Sequence, residues 1–148
     1  MATKVSLAEG AELLQLNLTE QQQTQLLAYV DLLQKWNKAF NLTAIRHREQ
    51  MVCEHLLDSL AIVKYINGES CLDVGTGAGV PGLPLAIYFP NKTFTLLDSN
   101  GKKTRFLKQV SHELGLKNIT VVHSRVEEFS NDPFDVIKIG RASCRERV

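Results

Sequence analysis

From Leu26 onward an apolar residue recurs every three or four positions, through Leu27, Val30, Leu33, Trp36 and Phe40. That spacing predicts one long amphipathic helix. Thr19-Glu20-Gln21-Gln22 reads as its capping box, with a hydroxyl at the N-cap and Gln22 three residues on. Upstream, Leu7, Leu13, Leu14 and Leu16 form the apolar set of a short helix over 6–16. Downstream, Val52, Leu56, Leu57, Leu60, Val63 and Ile66 predict a third helix over 49–66, stopped by Gly68. Past Gly68 the period changes. Short apolar runs near 70–75, 92–97, 119–123 and from Phe134 to Ile137 read as strands. Between them lie helical patterns over 81–88 and from Ser99 or Asn100 to Leu114, the second ended by Gly115. Strands alternating with helices predict an α/β fold with a parallel sheet and right-handed crossovers.

The first strand runs into Cys71-Leu72-Asp73-Val74-Gly75-Thr76-Gly77-Ala78-Gly79-Val80-Pro81-Gly82. Gly75, Gly77 and Gly79 alternate, so the turn carries little Cβ bulk and can bring its backbone against a ligand. Pro81 is tolerable in the first turn of the helix that follows, where N–H groups lack intrahelical partners. The second strand ends at Asp98, 23 residues after Gly75. An acid about 20 residues beyond such glycines commonly holds ribose hydroxyls. The two strand-end carboxylates, Asp73 and Asp98, with a bare loop between, suit an adenosine-type ligand. Gly77 to Gly82 also matches G-x-G-x-x-G, so a nicotinamide dinucleotide is a rival. The register argues against it, because in that motif the first glycine follows the strand at once. Here that glycine is Gly75, and counting from it the third slot falls on Val80. The pattern from the strand end is D-x-G-x-G-x-G.

The chain has 148 residues, 44% hydrophobic and 22% charged, ordinary values for one globular domain. No apolar run is long enough to span a membrane, and no signal-peptide pattern opens the chain. Cys53, Cys71 and Cys144 lack metal-ligand spacing and read as reduced thiols of a cytoplasmic protein. The net charge of +1 is shaped by the last eleven residues, which carry +3 and leave −2 on residues 1–137. Overall basicity therefore points to no partner.

Local charge is more informative. Lys35 to Arg48 is basic and aromatic together, and Lys102, Lys103, Arg105 and Lys108 crowd the start of one helix. Composition favours a helix end with favourable C-terminal cations and a solvated basic face. The sharper alternative is a surface for RNA phosphates and a stacked base. His55 and Asp58 lie three apart and share a helical face. An acid–base couple is conceivable there, but a structural role is the favoured reading. Ser124-Arg125-Val126-Glu127-Glu128-Phe129 follows the third strand, where Val126 can offer a backbone N–H and an apolar contact to an adenine, and Glu127 an acceptor.

The D-x-G-x-G-x-G pattern resembles the first motif of Rossmann-like S-adenosylmethionine methyltransferases. The resemblance narrows when K-W-N-K-A-F-N-L-T-A-I-R, H-L-L-D-S-L, D-V-G-T-G-A-G-V-P-G-L-P-L-A, L-L-D-S-N-G-K-K and S-R-V-E-E-F are read in order. Together they are similar to the bacterial glucose-inhibited division protein B family, from about residue 5 to Ile137. That resemblance implies methylation of guanine N7 in small-subunit ribosomal RNA, with S-adenosyl-L-methionine as cofactor and the RNA or the 30S subunit as partner. It implies a cofactor site at Gly75, Val80, Val126 and Glu127. Gly77 and Gly79 join it as the rest of the bare turn, and Asp98 from the ribose argument. No catalytic residue is assigned, and neither a metal nor a membrane is expected. The expected state is a monomer. A non-catalytic nucleotide- or RNA-binding fragment and an NAD-dependent oxidoreductase are the alternatives.

The resemblance implies a truncated Rossmann-like sheet, ordered three, two, one, four, with an N-terminal helical extension. Residues 1–68 are expected to be helical and packed on the same domain, and 69–137 to be a partial cofactor-binding domain. The run from Lys138 departs from the family's continuation, and Ile139 to Val148 reads as a translated sequencing adaptor. A non-native tail over 138–148 is therefore expected, with an unpaired outer edge on the fourth strand and an inactive fragment.

Overall fold

A computed structural model describes residues 6–129, 134–139 and 143–146. The helices are α1 (Leu7–Leu13), α2 (Glu20–Phe40), α3 (Arg48–Met51), α4 (Asp58–Leu60), α5 (Gly82–Tyr88) and α6 (Gly101–Glu113). The strands are β1 (Ser70–Val74), β2 (Thr93–Asp98), β3 (Ile119–His123), β4 (Val136–Ile139) and β5 (Ser143–Glu146). They form one sheet in the order β3-β2-β1-β4-β5. The first four run parallel, as the strand–helix alternation predicts, with Val74 opposite Leu97 and Asp98 opposite His123.

The expected open edge on β4 is not there. β5 pairs antiparallel with it, Ile139 opposite Ser143 and Val136 opposite Glu146. A strand edge offers a row of N–H and C=O groups, and the extended segment that follows takes them up. At the other end of β4, Asp135 Oδ2 accepts from the N–H groups of Glu69 (2.7 Å) and Ser70 (3.2 Å), which sets the start of β1 beside that of β4.

α2 forms as its pattern demands. Thr19 and Gln22 make the reciprocal capping box, and Asn41 ends the helix in the left-handed region at φ 51°. Leu26, Tyr29, Val30 and Leu33 are fully buried against the core, each burial contributing roughly 1.5–3 kcal/mol. Gln22 Nε2 donates to the Tyr88 carbonyl at the end of α5 (3.1 Å), and Gln25 Nε2 to the Leu114 carbonyl at the end of α6 (3.2 Å). One long helix thus ties down the last turns of the two helices that cover the sheet.

Two helices depart from the pattern. α1 stops at Leu13, whose side chain is 77% exposed rather than inward, while Gly10 and Ala11 face the interior. The expected helix over 49–66 is broken into α3, a π-helical stretch (Val52–Leu57), α4 and a 3-10 turn (Val63–Tyr65). Its buried pairs explain the widening: Met51–Val52, His55–Leu56 and Ser59–Leu60 recur every four residues. At 3.6 residues per turn they would drift off one face, and a wider turn keeps them aligned.

Candidate cofactor site

In a parallel sheet of this kind, ligands sit outside the carboxyl ends of the strands. Three loops meet there. The Gly75 and Thr76 N–H groups both donate to the Leu97 carbonyl at the end of β2 (2.8 and 3.1 Å), which locks the glycine turn to the neighbouring strand. The Gly77 N–H donates to Asp98 Oδ2 (2.8 Å), and the Asn100 N–H to Asp98 Oδ1 (2.8 Å). The Ser124 N–H donates to the Asp98 carbonyl (3.0 Å), drawing the turn after β3 to the same edge. Val126, Glu127 and Glu128 form a 3-10 turn there, with Val126 51% exposed.

The glycines divide into two kinds. Gly75 (φ +70°) and Gly77 (φ +59°) hold left-handed backbone, and a Cβ on either would meet nothing within 4 Å. Their bare faces look onto open space. Gly79 and Gly82 are buried. A Cβ on Gly79 would come within 2.7 Å of Leu107 Cδ2, and one on Gly82 would overlap Leu96 Cδ2 and stand 2.8 Å from Asp73 Oδ2. Val80 is half-buried, and its N–H donates to the Thr76 carbonyl (3.2 Å).

The two strand-end acids also separate. Asp73 was expected to face the ligand with Asp98, but it is 4% exposed and turned inward. Its Oδ2 accepts from Thr76 Oγ1 (2.8 Å) and the Gly82 N–H (2.9 Å), joining the first residues of the turn to the start of α5. Only Asp98 lies at the mouth.

Tyr29, absent from the apolar set read for α2, is a positioning residue. Its hydroxyl donates to the Ala78 carbonyl (2.8 Å) from a fully buried ring. Burial, and secondarily the charge of Asp73, pushes its pKa far above the ordinary phenol range, so it stays a donor. It lies three residues after Leu26 and four before Leu33, on the apolar stripe, and that spacing was the available signal. His55 is 2% exposed, and its Nε2 lies 2.9 Å from Thr43 Oγ1. Asp58 is exposed, and its pKa is raised by partial desolvation and then by Glu54. Among the described residues no group of His, Cys, Asp and Glu could hold a metal ion, and no helix is long and apolar enough to cross a membrane.

Four parallel strands with a glycine turn after β1 and an acid closing β2 define a Rossmann-like α/β fold. The same fold occurs in coclaurine N-methyltransferase, solved with N-methylheliamine and SAH, at TM-score 0.51 and 16% identity over 90% of this chain and 51% of that one. Sequence goes further: the GidB family, rRNA small subunit methyltransferase G, matches residues 22–147, and the chain belongs to it. Relatives named ribosomal RNA small subunit methyltransferase G are 60% identical in Ectopseudomonas mendocina, over 88% of this chain and 63% of that protein. In Pseudomonas aeruginosa the identity is 62%, over 88% and 62%. The Salmonella paratyphi B relative is 54% identical, over 90% and 65%. The chain therefore spans a little under two thirds of the length of these relatives.

Proposed function

We propose that this chain is the cofactor-binding part of an S-adenosylmethionine-dependent methyltransferase acting on guanine N7 of small-subunit ribosomal RNA. The observation that carries the reading is the pair Gly75 and Gly77. Both hold left-handed backbone with open space where a Cβ would stand, beside an Asp98 carboxylate that already accepts from the Gly77 N–H. This is a cradle that a cofactor fits, and relatives named for the activity share most of the chain.

In this reading Gly75 and Gly77 present turn backbone to the methionyl part, with Val80 beside them, and Gly79 lets the turn pack on Leu107 behind it. Asp98 takes the ribose hydroxyls with the carboxylate capacity left after its two backbone bonds. Val126 covers an adenine face, and Glu127 accepts from its edge. When bound, S-adenosylmethionine supplies a methyl group on a positively charged sulfur. Guanine N7 carries a free lone pair and no proton, so the chain need offer no base. That agrees with a buried His55 held on Thr43. What the chain contributes is fixed orientation, which matters most when two reactants need only be aligned. The setting is the cytoplasm, with a monomer meeting RNA in the 30S subunit.

One observation favours the dinucleotide reading: Gly82 packs its helix closely on the sheet, as the third glycine of that motif does. Calorimetric titration with S-adenosylhomocysteine and with NAD separates the two. Saturable binding of the first and none of NAD up to about 1 mM is expected; the reverse pattern overturns the assignment. Transfer of a labelled methyl group to 30S subunits by a full-length version distinguishes an enzyme from a binding module.

A further inference from the structure

From Gln25 to Phe40, α2 lies antiparallel to α6. Gln25 reaches the Leu114 carbonyl at the end of α6, Trp36 packs on Phe106 (centroids 5.7 Å), and Lys102 Nζ stands 6.0 Å over the Phe40 ring. The C-terminal end of α2 therefore meets the first turn of α6, which begins directly after the Asp98 and Asn100 that border the cofactor cradle. Two basic stretches far apart in sequence become one surface. Lys35, Lys38 and Arg46 come from one side, Lys102 and Arg105 from the other, and all five are exposed. Arg48 stands apart from this set, because its Nε is paired with Asp31 (2.8 Å).

The loop between α2 and α3 is held more firmly than a plain connection requires. Asn37, 2% exposed, accepts from the Thr43 N–H (2.9 Å), and Thr43 Oγ1 accepts from the Ile45 N–H (3.2 Å) while meeting His55 Nε2 (2.9 Å). Arg46 donates to Asn41 Oδ1 (3.3 Å). Buried side chains thus fix the backbone that carries an exposed guanidinium, and fixed cations lose little freedom when they meet an anion.

We propose that the end of α2, the loop 41–47 and the first turn of α6 form a docking surface for the sugar–phosphate backbone of the substrate RNA, beside the cofactor cradle. The inference rests on the methyltransferase reading above. Clustered cations beside half-buried Trp36 and Phe40, on a chain whose first 137 residues carry net −2, favour a polyanion met locally.

The test uses the 148-residue chain and a short 16S ribosomal RNA stem-loop, with affinity measured against salt. The variant K38A/R46A/K102A is compared with K64A/K117A, whose exposed lysines lie ahead of β1 and of β3 and outside this surface. The triple variant is expected to bind RNA about 30-fold or more weakly and to lose roughly 2 units of salt slope. The control stays within about threefold, and both bind S-adenosylhomocysteine like the parent. If the triple variant does not fold, K102E alone carries the comparison, with K102R expected to restore binding. Unchanged RNA affinity and slope in the folded variant overturn the proposal. So does a parent chain that binds S-adenosylhomocysteine but no RNA, or one whose RNA is displaced equally well by polyglutamate. Loss of S-adenosylhomocysteine binding by the parent chain overturns the cofactor reading instead.

Discussion

Gly75 and Gly77 stand at one end of the turn after β1, Gly79 and Gly82 at the other, and the two pairs are glycine for opposite reasons. The first pair has no neighbour where a side chain would be, while the second has Leu107, Leu96 and Asp73 pressed against it. The open half is held from outside, by the Leu97 carbonyl and the Asp98 carboxylate. The packed half is held from inside, by Asp73 and by Tyr29 reaching from α2. A substitution in the packed half should cost folding, and one in the open half should cost ligand.

The largest effect is expected at the packed end. Gly82→Ala forces a methyl into Leu96 and against the buried Asp73 carboxylate, and should lower unfolding free energy by about 2–4 kcal/mol. Urea denaturation reads this, and a loss near zero would show that the packed half can yield. Next comes Tyr29→Phe. It strips the donor from a buried carbonyl and should cost about 1–2 kcal/mol. Because Ala78 lies between the two halves, S-adenosylhomocysteine affinity should also fall, about fivefold. An affinity change without a stability change would mean that Tyr29 acts on the open half alone. Asp98→Asn should leave stability within about 1 kcal/mol and weaken S-adenosylhomocysteine about tenfold, measured by calorimetry; an equal loss of both would make Asp98 a folding residue.

The smallest effect lies outside the turn. The Asp58 carboxyl is raised in pKa by partial desolvation and by Glu54. A group raised on folding contributes stability below its unfolded pKa and loses it as pH rises through the folded value. Asp58→Asn should therefore raise the melting temperature slightly at pH 7 and match the parent near pH 3. A lower melting temperature at pH 7 would reverse the sign of the argument.

Much of this arrangement was legible in the residues. The period change after Gly68, the capping box at Thr19 and the acid closing β2 each rest on local chemistry, and the strand–helix alternation implied the parallel sheet; the order β3-β2-β1-β4 came from the family resemblance. What escaped was set by tertiary contacts. Nothing local separates Gly77 from Gly79 in G-T-G-A-G-V; the difference is that Leu107, far along the chain, packs on one and not on the other. Asp73 and Asp98 both close apolar runs, yet the start of α5 folds back onto Asp73 and turns it inward. The widened turn at Val52–Leu57 depends on the burial of His55 and Ser59, polar residues that an apolar pattern leaves out. The open edge of β4 was foreseen, but not that the segment just after it would pair there.

The division of the glycine turn is tested most directly at Gly77. An alanine there must hold φ +59°, which costs about 1–2 kcal/mol, but it meets no neighbour. Its methyl group would project into the space assigned to the cofactor. Calorimetric titration of Gly77→Ala with S-adenosylhomocysteine, beside a thermal melt, gives both quantities on one sample. The expected result is a folded protein with affinity reduced tenfold or more, about 1.4 kcal/mol. A folded variant that binds within about twofold of the parent would contradict this division, because the open face of the turn would then face solvent and not the cofactor.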